Sequence, residues 1–342
     1  MSIEGRIVRV VAVALTAAAA TVAHSAEPAA VAERVRVEHV LPGYRGLATA
    51  VDGLQGAITG ACTTPPGVDA HAVRDAFDTA MDAWQSVQHL RHGPVADADR
   101  HARLQFWPDP RGRTGQHLSR LLREGRAADL EPAALRGASV AVQGFGAVEW
   151  LLEDGVGLAT PPFSASAVSR CDVAAAVVRE LATIAHALVE GWERPAEPGE
   201  GEARVAALVG DLATAFQLIE VSKLDAVAGA VGSRPRPRLA ESWRSGRGLR
   251  NVAVNLRALR ALHDLLAASV GRADPVVEAQ FDRAQREVRS RGDSLVELVG
   301  APGGQNRVRA LASTIADLGQ LAVTGLARGL GTGVGFNALD GD

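Results

Sequence analysis

The sequence predicts an all-α protein, and three observations predict it. Aromatic residues make up 4% of the 342-residue chain while hydrophobic residues reach 47%, with alanine and leucine dominant, which favours helix over sheet. Apolar residues recur every three or four positions, as in Val73, Phe77, Met81, Trp84 and Val87, the pattern of a helix with one buried face. Short proline- and glycine-containing breakers separate these runs, and long helices joined by short breakers fit antiparallel bundles.

Residues 1–26 read as an export signal. Arg6 and Arg9 give a positive start, Val10 to Ala20 is an uncharged apolar run too short for a finished membrane anchor, and Ala23, Ser25 and Ala26 suit cleavage. No cysteine follows the run, so a lipid anchor is not expected. The first half, 27–198, then opens with a helix from Ala29 to Ala61, bent near Pro42 because proline lacks the amide donor and clashes one turn back. Thr63-Thr64-Pro65-Pro66-Gly67 breaks it. The Val73–Val87 helix ends at Gly93-Pro94. Arg100 to Arg113 has poor helix character, with Pro108, Pro110 and Gly112, and Thr114 can cap a short helix through Leu122. An apolar helix from Ala138 to Glu153 follows, then a loop to Pro162 and a long helix from Ser166 to Glu193.

The second half, 199–342, begins with a helix from Ala203 to Ala230, with Val205, Leu208, Leu212, Phe216 and Ile219 on one side. Arg234-Pro235-Arg236-Pro237 makes an extended link. Leu249 to Leu266 is the next helix; Pro275 to Val299, with Asp274 as its cap, and Gln305 to Leu330 complete the set. Gly331 to Asp342 is Gly-rich and non-helical. Each half supplies about four helices, which predicts two antiparallel four-helix-type bundles related by internal duplication. No residue repeat accompanies them. No run after the signal reaches the ~18 uninterrupted apolar residues of a membrane span.

The formal charge is −3, so no basic surface for nucleic acid is expected, and contact with a membrane is at most peripheral. Lys223 is the single lysine; the arginine-dominated basic set reads as a coding bias. Cys62 and Cys171, in an exported chain, either pair as a disulfide or sit apart as small hydrophobes; their spacing leaves both open.

Chemistry centres on the helix containing Glu149. A carboxylate among Phe145, Val148, Leu151 and Leu152 needs a partner. Arg244, Arg247 and Arg250 cluster at the start of a helix, where guanidinium forks and free amides suit a carboxylate or phosphate. The bland alternatives are a Glu149–arginine pair, and an ion pair of the arginines across the halves with Glu149, Asp109 or the terminal acids. His186 and Glu190, four apart on one helix, read as an ordinary surface contact. Neither a His-Glu-x-x-His nor a Gly-x-Ser-x-Gly element is present, so zincin and serine-nucleophile readings have no support.

Four segments resemble the imelysin-like family: Phe106-Trp107-Pro108-Asp109-Pro110-Arg111; the helix with Gln143, Gly144 and Glu149; Glu241-Ser242-Trp243-Arg244-Ser245-Gly246-Arg247-Gly248-Leu249-Arg250-Asn251 with Asn255-Leu256; and Gly335-Phe336-Asn337-Ala338-Leu339-Asp340-Gly341-Asp342. The family motif is Gly-x-His-x-x-Glu, and Gly146 holds the histidine position. The resemblance implies an extracytoplasmic two-bundle protein with a cleft between its halves, in a family associated with metallopeptidase activity and iron uptake. Gly146 supplies no ligand, while catalytic zinc takes about three protein ligands. The expectation is therefore a periplasmic or extracellular ligand-binding protein without peptidase activity; the alternatives are an imelysin-type metallopeptidase and a structural or interaction protein. The expected ligand site has Trp107 as a wall, Asp109 and Glu149 as an acidic floor, Gln143 as a hydrogen-bonding group, and Arg244, Arg247 and Arg250 as an anion grip. Should iron or zinc bind, Glu149 and His117 are the candidate ligands. The partners implied are a small ligand or metal in the cleft and a protein of the cell envelope. In the tail, Phe336 and Leu339 are expected to anchor and Asp340 and Asp342 to face arginines.

Overall fold

A computed structural model describes residues 27–63, 70–158, 160, 162–164, 167–195, 197–271 and 274–330. The export reading of 1–26 and the tail motif fall outside the described residues. Among those described, all regular secondary structure is helical. In chain order the α-helices are α1 (Pro28–Val35), α2 (Leu41–Thr63), α3 (Ala70–Val87), α4 (Arg100–Leu104), α5 (Arg113–Glu124), α6 (Pro132–Gly137), α7 (Gly144–Glu153), α8 (Arg170–Glu193), α9 (Gly201–Gln217), α10 (Ala226–Ala228), α11 (Gly248–Ser269), α12 (Pro275–Arg289), α13 (Leu295–Gly300) and α14 (Gly304–Leu330).

In the first half α2 packs between α3 and α8, and α7 covers α8. In the second, α14 packs on α9 and α12, and α12 on α11. The halves meet mainly through α3 against α11, while α1 leaves its own half to lie on α9. Trp84, Tyr44, Phe77 and Phe145 are fully buried and supply much of the first half's core; burying each such side chain is worth about 1.5–3 kcal/mol. Cys62, at the end of α2, and Cys171, at the start of α8, form a disulfide with Cα atoms 5.7 Å apart.

Several boundaries differ from the sequence expectation for identifiable reasons. The bend expected near Pro42 is a π-helical turn over Arg36–Val40, ending two residues before the proline that lacks an amide proton. A second π-helical segment, Leu218–Asp225, interrupts the helix expected from Ala203 to Ala230. The run Pro275 to Val299 is two helices, broken at Gly292 with φ +80° and restarted where Ser294 caps Glu297 N. The segment expected as one helix from Ala138 begins with a 3-10 turn, Val140–Val142, and α7 starts only at Gly144. By length and composition, Gly201–Ala228 and Gly304–Leu330 are apolar enough to cross a membrane. Here they pack on each other, and the first carries buried Asp211 and Lys223.

Candidate functional site

The path to the site begins at Gly144. Its φ is +71°, and a Cβ there would lie 2.3 Å from the Leu104 carbonyl oxygen and 2.4 Å from that of Arg103. A residue without a side chain is needed both for the left-handed turn and for this approach. The approach seats the first turn of α7 on the C-terminal end of α4, where the loop 105–112 begins. Gly146 and Glu149, three apart, then share one face of α7 and line a cavity of about 330 Å³. Gln105, Trp107, Asp109 and Arg111 of that loop close one side; Arg238, Ser242, Trp243 and Arg244 come from the second half.

Glu149 is 5% exposed. Its Oε1 accepts hydrogen bonds from Ser245 N at 3.0 Å and Ser245 Oγ at 2.7 Å. Burial raises its carboxyl above the ordinary range, against the pull of the Ser245 bonds and the Arg244 charge. Its partner across the halves is thus a serine, which corrects the expected arginine pair: Arg244 acts on Glu149 by charge but forms no ion pair with it.

Asp109 accepts from the amides of Arg113 at 2.8 Å and Thr114 at 2.9 Å, so the start of α5 is capped by this aspartate and not by Thr114. Trp107 Nε1 donates to the Leu239 carbonyl at 3.1 Å, tying the loop to the second half. The Arg244 guanidinium lies 4.3 Å from the Trp243 ring centroid, and that of Arg238 lies 5.7 Å from the same ring. Half-buried Arg244 makes no hydrogen bond among the described residues.

The structure therefore gathers Trp107, Asp109, Glu149 and Arg244 into one cavity and leaves the other named residues elsewhere. Gln143 is buried behind it: Nε2 donates to the carbonyls of Leu135 (2.9 Å) and Ala138 (3.1 Å), and Oε1 accepts from Arg103 Nε at 3.1 Å. Arg247 bonds Asp78 and Asp82 on α3, and Arg250 Nη2 lies 2.6 Å from Asp82 Oδ2. These arginines do bridge the halves, through acids the sequence reading had not named. His117 lines a separate groove with Arg120, Leu135 and Ser139, and His186 Nε2 bonds Asp52 at 3.1 Å.

Whether these residues suit a metal follows from their donors. Both oxygens of Asp109 hold backbone amides, one oxygen of Glu149 holds Ser245, and Arg244 places positive charge beside them. Among the described residues no three histidine, cysteine or carboxylate side chains gather around a point. That set does not fit a zinc or iron centre.

Sequence reasoning missed the network beneath the cavity. Lys223 Nζ donates toward Gln85 Oε1 (2.8 Å), Gln88 Oε1 (2.7 Å), Glu241 Oε2 (2.6 Å) and Asn255 Oδ1 (2.7 Å). Gln88 Nε2 reaches Gln105 Oε1 at 2.8 Å, which connects the network to the cavity lining. Asn251 Nδ2 bonds Glu241 Oε2 at 2.9 Å and its Oδ1 accepts from Arg247 Nε at 2.9 Å. One polar chain thus runs from Asp82 through the core to Gln105. The available signal was a lysine in a chain that otherwise uses arginine, together with Glu241, Asn251 and Asn255 in one family-like segment.

The fold has counterparts among solved structures. An imelysin-like protein from Psychrobacter arcticum 273-4 aligns with TM-score 0.73 at 17% identity, over 90% of this chain and 96% of that one. A protein from Parabacteroides distasonis ATCC 8503 described as an iron-regulated protein A precursor aligns with TM-score 0.66 at 16% identity, over 87% and 94%. At such identities the likeness is one of fold. No curated protein matches the chain. Three of the four family-like segments, those of Trp107, Glu149 and Trp243, meet around one cavity; the imelysin family model matches residues 40–324, and on that span the chain belongs to the imelysin family.

Proposed function

We propose that this chain is an exported ligand-binding member of the family, without peptidase activity, and that the cavity between its halves takes the ligand. The observation that carries the reading is the cavity itself. Both halves build it, aromatic walls and convergent polar groups line it, and one of those groups, Arg244, is half-buried on the Trp243 ring with no hydrogen bond or ion pair among the described residues. Its volume of about 330 Å³ lies within the small-molecule range. Gly146 holds the histidine position of the motif, and the remaining donors suit an organic ligand better than a metal. A solvated polar cleft also favours this reading over a purely structural role, for which a leucine-packed junction would serve. Export is supported by the character of residues 1–26 and by a disulfide, which suits an oxidising compartment. A link to iron uptake is the family's implication, in keeping with the name of one similar structure.

The test uses Gly146. A Cβ there meets only the Phe106 carbonyl oxygen, at 3.6 Å, so Gly146→Leu projects into the cavity without disturbing the helix. Small molecules released on denaturing the secreted protein are identified by mass spectrometry, and metal content is measured with and without chelator. The expected result is an organic molecule carried by the wild type and lost in Gly146→Leu at unchanged circular dichroism. Stoichiometric metal lost on Glu149→Ala would overturn the reading in favour of a metallopeptidase or metal carrier.

A further inference from the structure

We infer that the ligand of this cavity is a small organic oxyanion, a carboxylate or a phosphate, gripped by Arg244 on the face of Trp243. The inference rests on the cavity being a ligand site and adds the charge and chemistry of what enters it.

Arg244 stands apart from the other inward-facing arginines. Arg103 spends its guanidinium on Glu180 at 2.7 Å, Arg170 on Asp154 at 2.7 Å, and Arg247 on Asp78 and Asp82. Arg244 is half-buried too, and the charges of Glu149, Asp109 and Asp154 all reach it, yet it bonds none of them. The reason is visible in the neighbours. Both oxygens of Asp109 are committed to the first amides of α5, while Ser245 holds Oε1 of Glu149 and Arg170 holds Oδ1 of Asp154, each bond fixing its carboxylate away from the Arg244 fork. A guanidinium withdrawn from water without a partner carries a desolvation cost that a bound oxyanion removes.

The stacking geometry decides how such an anion is met. With its centre 4.3 Å from the Trp243 centroid, the Arg244 guanidinium rests on the indole. A stacked guanidinium keeps its N–H groups in its own plane, free to form paired bonds with a carboxylate or phosphate. Arg238, 5.7 Å from the same ring, and Arg111 on the loop of the other half add positive charge at the rim. Three lining arginines face two carboxylates, Asp109 and Glu149, so the lining carries a positive excess. A cation would meet that excess unfavourably; an anion neutralises it.

The experiment is isothermal titration calorimetry of the full mature chain with succinate, with inorganic phosphate, and with succinamide as a neutral isostere. Succinate or phosphate is expected to bind, and whichever binds more tightly identifies the anion chemistry. Arg244→Gln is expected to weaken it at least tenfold, Arg244→Lys to weaken it less, and Arg328→Gln, at an exposed position of α14, to leave it unchanged; circular dichroism confirms folding of each variant. The inference is overturned if neither anion binds up to about 10 mM, or if Arg244→Gln binds like the wild type. Succinamide binding as tightly as succinate, and lost in Gly146→Leu, would overturn the charge assignment while keeping the cavity as a ligand site. Anion binding that persists in Gly146→Leu would overturn both.

Discussion

Lys223 Nζ lies 2.6 Å from Glu241 Oε2, and each side chain is 1% exposed. The lysine comes from a π-helical turn after α9 and the glutamate from the segment before α11, while Gln85 of α3 and Gln88 just after it bond both. Burial lowers the lysine, and the Glu241 charge restores it only in part. Burial would raise Glu241, but the Lys223 charge and the bonds from Lys223, Gln88 and Gln85 hold it below its ordinary value. The pair is therefore a charged clasp inside the second half, tied to the first half through Gln85 and Gln88 and linked to the cavity lining at Gln105.

Removing one member of the clasp strands the other. Lys223→Met should cost about 3–5 kcal/mol, because Glu241 is left buried without its counter-charge. Adding Glu241→Gln should recover much of that loss, since amides can satisfy Gln85 and Gln88 without a net charge. Urea unfolding of the wild type, both single variants and the double variant completes the cycle. Strictly additive losses would show that the two charges do not depend on each other.

The comparison of sequence with structure divides along physical lines. Periodic apolar faces such as Val73–Val87 located helices, because a buried stripe leaves a 3.6-residue period. The burial of Glu149 and its place beside Trp107, Asp109 and Arg244 were legible because a carboxylate among leucines must be met from elsewhere. The Lys223 network was not, because Gln85, Gln88 and Asn255 are polar positions that are buried only where the two halves cover each other. The π turns also leave no period to read, and Gly144 starts α7 only because the Leu104 and Arg103 carbonyls approach it from another segment.

The raised carboxyl of Glu149 has a signed consequence for pH. Its folded pKa exceeds its unfolded one, so its contribution is fully present below the ordinary glutamate range and is lost as pH rises through the raised value. Glu149→Gln keeps an oxygen for Ser245 and cannot ionise. The variant should gain stability relative to the wild type as pH rises from 4 to 8, taking ~4.3 as the unfolded pKa. Chemical denaturation at several pH values measures it; a gap that widens instead toward low pH would contradict the assignment.

A histidine pair just past the C-terminal end of α3 works in the opposite sense. His39 Nε2 and His89 Nε2 are 2.9 Å apart, and the bond needs one ring to donate and the other to accept. Burial lowers His39 from 6.5 to about 4 and pushes His89 well below the ordinary range. The unfolded chain therefore takes up protons first, and stability falls as pH drops from 6.5 toward 4. A shift of this size corresponds to about 3 kcal/mol for His39. Unfolding midpoints across that window should decline steeply in the wild type and less so in His39→Gln; equal slopes would show that His39 titrates as it does in the unfolded chain.

Two glycines two residues apart on the same helix should respond oppositely to alanine. At Gly144 the new methyl would sit 2.3 Å from the Leu104 carbonyl oxygen on a backbone with φ +71°. Neither backbone group is the movable end of a side chain, so Gly144→Ala should cost more than about 2 kcal/mol. At Gly146 the methyl would meet only the Phe106 carbonyl oxygen, at 3.6 Å, in ordinary contact. Replacing a helical glycine there should recover up to about 1 kcal/mol of helix propensity. Any shift of α7 in Gly144→Ala also carries Glu149 away from Ser245, so that variant should lose anion binding along with stability, whereas Gly146→Ala should remain folded and bind with a slightly smaller cavity. Urea unfolding and calorimetry on the two variants separate the effects, and equal destabilisation at both sites would mean that α7 does not rest on the Leu104 carbonyl.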